Sequence, residues 1–157
     1  MKQTLIDLND IQHYLSGYWL SDLSNFSSFI FHGFPSLNWA GFYLDDGRTL
    51  RLGPFCGKPA CFEIPYGKGV CGEAFSRREA LLVADVDQFP GHIRCDTASR
   101  SELVLPLFIK GRCVGVFDLD SPELARFSEA DREQLMKLLQ LLSEKLEQGR
   151  FGVLSAE

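Results

Sequence analysis

Three cysteines fall in one stretch of the chain, Cys61, Cys71 and Cys95, and glycine or proline turn signals surround each of them. Those signals place the three on loops or at element ends rather than inside packed elements. A cysteine so placed can meet a substrate and exchange disulfides. The chemistry this supports is thiol redox, with Cys95 as nucleophile and Cys61 or Cys71 as its resolving partner. His92, Arg94 and Arg100 lie near Cys95 in sequence and favour the nucleophilic thiolate, whereas Asp96 opposes it. The plainer use of a free cysteine is as a small buried hydrophobe. That use suits Cys113, which alternates with apolar residues, while Cys56 follows Phe55 at a strand end and is assigned no role. A zinc site from Cys61, Cys71, His92 and Cys95 is the rival reading. Structural zinc ligands usually come in pairs two to four residues apart, and only His92 and Cys95 approach that spacing.

Glu102, Asp118 and Asp120 form a second constellation, all at or near the ends of apolar runs. Asp118 and Asp120 are two apart and point to the same face of a strand. The plain alternative is a solvated strand edge. Asp118 argues against it, because Val114-Gly115-Val116-Phe117 precedes it. A partly buried carboxyl has a raised pKa and can donate a proton or hold an ammonium group. Trp39 and Tyr43 share a strand face and are either core aromatics or the floor of a small apolar pocket. Tyr66-Gly67-Lys68-Gly69-Val70-Cys71-Gly72 is glycine-rich but has neither Walker spacing nor a GxGxxG pattern, so it reads as a turn into a short helix.

The elements that must position these groups follow from periodicity. Residues 5–32 carry apolar residues near helical spacing, divided at Gly17 and stopped by Gly33-Phe34-Pro35. Strands are expected over 38–44 and 49–55, joined by the hairpin signal Asp45-Asp46-Gly47, then over 61–64 and 80–83. A long loop spans 85–101. Strands over 102–109 and 113–120 follow, joined through Gly111, with Pro106 expected at an edge or bulge. Ser128 and Asp131 begin the clearest helix, whose leucine stripe runs to Gly149. Tight turns require antiparallel pairing, so the class is α+β, one antiparallel sheet with terminal helices packed on one face. The 157 residues suit a single domain, with a helical segment at 1–37, a core at 38–148 and a loosely ordered tail at 149–157. A net charge of −5 argues against nucleic acid or an anionic membrane as partner. The polar start of the chain and the odd cysteine count point to the cytoplasm.

Five segments together resemble the free methionine-(R)-sulfoxide reductases, which are GAF-domain enzymes. They are Asn38-Trp39-Ala40-Gly41-Phe42-Tyr43, Gly69-Val70-Cys71-Gly72, Gly91-His92-Ile93-Arg94-Cys95-Asp96, Ser101-Glu102-Leu103-Val104-Leu105-Pro106 and Gly115-Val116-Phe117-Asp118-Leu119-Asp120-Ser121. The resemblance runs from about residue 38 to residue 142. It implies a GAF fold with about six antiparallel strands and reduction of free L-methionine (R)-sulfoxide, with thioredoxin as reductant and no metal or organic cofactor. It implies Cys95 as the catalytic cysteine, Cys61 as the main resolving cysteine and Cys71 as the secondary one. It assigns Trp39, Tyr43, Glu102, Asp118 and Asp120 to the substrate pocket, and it carries a homodimer as a further expectation. Cys56 and Cys113 fall outside the family pattern. The alternative is a GAF domain that binds a small molecule without chemistry.

Overall fold

A computed structural model describes residues 7–93 and 95–149. Six strands form one antiparallel sheet: β1 (Trp39–Asp45), β2 (Leu50–Gly57), β3 (Glu63–Ile64), β4 (Leu81–Val83), β5 (Ser101–Ile109) and β6 (Arg112–Ser121). Their order across the sheet is β3-β2-β1-β6-β5-β4. The two hairpins, β1-β2 and β5-β6, are therefore joined at the centre by β1 and β6, which come from distant parts of the chain. The turn after β1 forms as its sequence predicts. Asp46 Oδ1 accepts from the amides of Arg48 and Thr49, and Gly47 takes φ 88°.

Period-2 alternation sorts the side chains of the central strands. Phe42, Leu103, Leu105, Phe117 and Leu119 face one side and are fully buried there. Helices α1 (Trp19–Gly33) and α3 (Glu129–Gln148) cover them, so the terminal helices lie on one face as expected. Phe26 of α1 meets Phe117 edge-on at 5.0 Å. The predicted capping box is present: the Ser128 hydroxyl accepts from the Asp131 amide, and Asp131 accepts from the Ser128 amide. The first helical stretch departs from the simple expectation, because Leu8–Tyr14 is a 3-10 helix. Gly17 does divide it from α1. Buried Asp22 accepts bonds from the Ser16 and Gly17 amides at 2.7 Å, which fixes that junction.

The opposite face carries Trp39, Tyr43, Glu102, Val104, Val116, Asp118 and Asp120, covered by α2 (Gly69–Arg77) and the loop that follows β4. Gly72 lets the turn at 65–67 fold back against the start of α2, since a Cβ there would lie 2.4 Å from the Pro65 carbonyl oxygen. Three expectations need correction. Cys71 lies inside the first turn of α2 and is buried, not on a loop, because the helix starts at Gly69. Cys56 is within β2, which runs on to Gly57. The third strand covers only Glu63–Ile64, which leaves Cys61 in the preceding loop. Pro106 lies past the three β5 residues that β4 pairs and next to a register shift at Leu107/Phe108, as a missing amide donor requires. The expected tail at 150–157 and the start of the first helix at Leu5 fall outside the described residues. Among the described residues, no helix is long and apolar enough to cross a membrane.

Candidate active site

Strand register brings the acidic groups together. Glu102 pairs with Asp120, and Asp118 lies opposite both Val104 and Gly41, while Trp39 pairs with Asp120 on the other side of β6. One face of three adjacent strands therefore presents all five expected pocket residues. Trp39 stacks on Tyr43 at 5.8 Å and on Phe55 at 5.3 Å, forming an aromatic floor. The polar tips of these rings hold the loop above them. Trp39 Nε1 donates to the Lys58 carbonyl at 3.1 Å, and the Tyr43 hydroxyl donates to the Cys61 carbonyl at 3.0 Å.

Two segments complete the cavity. Helix α2 places the Cys71 Sγ 4.0 Å from Glu102 Oε2. The loop after β4 brings in His92, Ile93, Cys95 and Ser99. His92 Nε2 lies 3.5 Å from Glu102 Oε1. The Asn38 side-chain amide donates to Asp96 Oδ2 and to Ser99 Oγ, each at 3.0 Å, and ties this loop to the start of β1. Cys95 is joined to Cys61 by a disulfide with Cα atoms 5.4 Å apart. The cavity these groups enclose is small, about 30 Å³.

Burial dominates the electrostatics. Glu102 and Asp118 are each 5% exposed, and Asp120 is half-buried. Loss of water, then repulsion from Asp120, pushes Glu102 up to about 8. Burial and the neighbouring Glu102 raise Asp118, and burial with Asp118 raises Asp120. The Cys71 thiol is raised by burial first and then by Asp118, so it keeps its proton. Asp118 Oδ1 is fully buried and has no hydrogen-bond partner. A buried acceptor in that state is costly unless something arrives to donate to it.

In the disulfide form the four-residue zinc set is not available. The disulfide uses Cys61 and Cys95, which removes two of the four ligands. Cys71, Glu102 and Asp118 do bring potential ligand atoms within 4.8 Å of one another, but they are the acidic cluster of the cavity itself. Cys113 is buried and Cys56 partly so, both as free thiols away from this site. Arg94, expected beside Cys95, lies outside the described residues. Sequence reasoning weighed His92 only for Cys95 and zinc, and it missed its approach to Glu102 and the Asn38 anchor.

A family model for the GAF domain matches residues 23–147, and the chain belongs to that family. Its relatives narrow the class. The chain is 46% identical over 127 residues to the free methionine-R-sulfoxide reductase of Escherichia coli (strain K12), covering 81% of this chain and 77% of that protein. It is 46% identical over 133 residues to the free methionine-R-sulfoxide reductase of Saccharomyces cerevisiae, covering 80% and 74%. The solved free methionine-R-sulfoxide reductase of Neisseria meningitidis, in complex with its substrate, superposes with a TM-score of 0.85 at 42% identity, over 89% of this chain and 86% of that one. Among GAF domains, then, the chain is a member of the free methionine-R-sulfoxide reductase family.

Proposed function

We propose that this protein reduces free L-methionine (R)-sulfoxide to methionine, with Cys95 as nucleophile and Cys61 as its resolving partner. The observation that carries this is the Cys61–Cys95 disulfide at the edge of a cavity floored by Trp39 and Tyr43 and lined by Glu102, Asp118 and Asp120. In the reduced protein the Cys95 thiolate attacks the sulfoxide sulfur. The oxygen gains negative charge as its bond to sulfur weakens. Glu102, which holds a proton at neutral pH, donates to it. The new bond between Cys95 Sγ and the methionine sulfur then breaks as the hydroxyl moves from that sulfur to Cys95, which leaves a sulfenic acid and releases methionine. The Cys61 thiol then condenses with the sulfenic acid, forming the disulfide and releasing water. Thioredoxin, a dithiol protein, returns two electrons and both thiols by exchange. No metal or organic cofactor enters these steps.

The unpartnered Asp118 Oδ1 supports an ammonium site. A free amino acid brings a cation with three donors, and that cation offsets negative charge on Asp118 and Asp120. An internal residue of a peptide has no such group. Trp39 and Tyr43 take the methyl-sulfinyl end. Cys71 keeps its proton through burial, which makes it a slow second resolver behind Cys61.

Replacing the nucleophile tests the assignment. Cys95→Ser should abolish turnover yet still bind substrate. Cys61→Ser should release one equivalent of methionine in a burst and then turn over only slowly, as Cys71 resolves the sulfenic acid in place of Cys61. Full reductase activity in Cys95→Ser would overturn the mechanism.

A further inference from the structure

Phe62 is 73% exposed, more than any other large hydrophobic side chain among the described residues. It follows Cys61 directly. Its exposure is not that of a loosely held loop, because the backbone around it is bonded on both sides. The Leu52 amide donates to the Phe62 carbonyl at 3.0 Å, the Tyr43 hydroxyl to the Cys61 carbonyl at 3.0 Å, and Trp39 Nε1 to the Lys58 carbonyl at 3.1 Å. The fold thus presents a phenylalanine to water at a fixed position beside the bond that must be reduced in every cycle. Phenylalanine is among the residues enriched in the cores of protein interfaces.

The two sulfurs are not equivalent. Cys95 lines the substrate cavity with Glu102 and Asp118, whereas Cys61 does not. Attack from outside at Cys61 would release Cys95 as the thiolate, already in place for the next substrate.

We infer that Phe62 is the docking anchor for the dithiol protein that reduces the Cys61–Cys95 bond, and that Cys61 is the sulfur it attacks. This rests on the reductase reading above. The partner's thiolate bonds to Cys61 Sγ as the bond to Cys95 breaks, and the Cys95 sulfur leaves with the electron pair. The partner's second thiol then displaces Cys61 Sγ, which leaves with its own electron pair. The products are the reduced Cys61–Cys95 pair and the partner's disulfide.

The test compares thioredoxin with dithiothreitol, which needs no docking surface, as reductants of the parent protein, Phe62→Ser and Phe62→Leu. In Phe62→Ser, the KM for thioredoxin should rise about tenfold while the dithiothreitol-driven rate and the KM for methionine sulfoxide stay unchanged. Phe62→Leu should recover most of the loss. Thioredoxin whose second cysteine is replaced by serine should be trapped on Cys61. An unchanged thioredoxin KM in Phe62→Ser would overturn the anchor. An equal fall in the dithiothreitol rate would do the same, since it would mean damage to the site. A shift in oligomeric state with thioredoxin kinetics intact would assign Phe62 to contacts between copies instead. Capture on Cys95 would overturn the order of attack. Parent protein inactive even with dithiothreitol would overturn the reductase reading, and this one with it.

Discussion

Glu102 is held near 8 by burial and by Asp120, well above its ordinary 4.5. That single shift has consequences for both rate and stability. The rate of methionine formation in a single turnover should fall as pH rises through about 8, because the donor of the proton is lost. Glu102→Gln should lower the rate by roughly 10²-fold and remove that alkaline limb. For stability, a folded pKa above the unfolded value means that the folded state binds this proton more tightly. The contribution is complete below about 4.5 and is lost as pH rises to about 8. Above that range the folded parent protein bears an uncompensated buried charge, and Glu102→Gln does not. Thermal unfolding at pH 9 should therefore show the variant with the higher Tm, and the reverse order would contradict the burial argument. Asp118 was legible as a buried acid because an apolar run precedes it. The raised value of Glu102 was not, since it depends on Asp120 across the β5-β6 pairing and on a cover supplied by α2 and the loop after β4.

At the scale of elements, β1 sets the pocket floor. Gly41 lies between Trp39 and Tyr43 on the same face, and a Cβ there would come 2.3 Å from the Phe55 Cβ and 2.8 Å from the Trp39 ring. The absent side chain lets the Trp39 ring lie over the strand and stack on Phe55. Gly41→Ala should cost about 2 kcal/mol in urea unfolding, as overpacking of a rigid site does, and also raise the KM for methionine sulfoxide. Ser128→Ala is the contrasting case. Loss of the α3 cap should cost about 1 kcal/mol and leave that KM unchanged, since α3 lies on the other face of the sheet. Local signals made much of this level legible. The Asp45-Asp46-Gly47 turn, the Ser128 cap and the Asp118/Asp120 alternation each depend on neighbours in sequence. The signals failed where tertiary contacts decide. Cys71 lies in a helix because α2 starts earlier than its glycines suggest, and β3 keeps only the two residues that pair with Leu50 and Arg51.

At the scale of the molecule, the disulfide closes the site. It links residues 34 apart in sequence and draws the loop after β4 onto the one that precedes β3. The remaining cavity of about 30 Å³ is far smaller than a free amino acid needs. Oxidised protein should therefore give no methionine sulfoxide binding by calorimetry, while reduced Cys95→Ser should bind it; equal binding by both would show that the loops do not gate the pocket. The fold class, the six antiparallel strands and the helical face were all foreseen from the chain. The closure was not, because it depends on where two loops meet in space. The most direct measurement is a thioredoxin-coupled assay with free methionine (R)-sulfoxide, free (S)-sulfoxide and a peptide-bound (R)-sulfoxide side by side. Turnover of the first alone is the predicted result. Equal turnover of the peptide would contradict the ammonium site at Asp118, and turnover of none, with thioredoxin recycling intact, would contradict the enzyme.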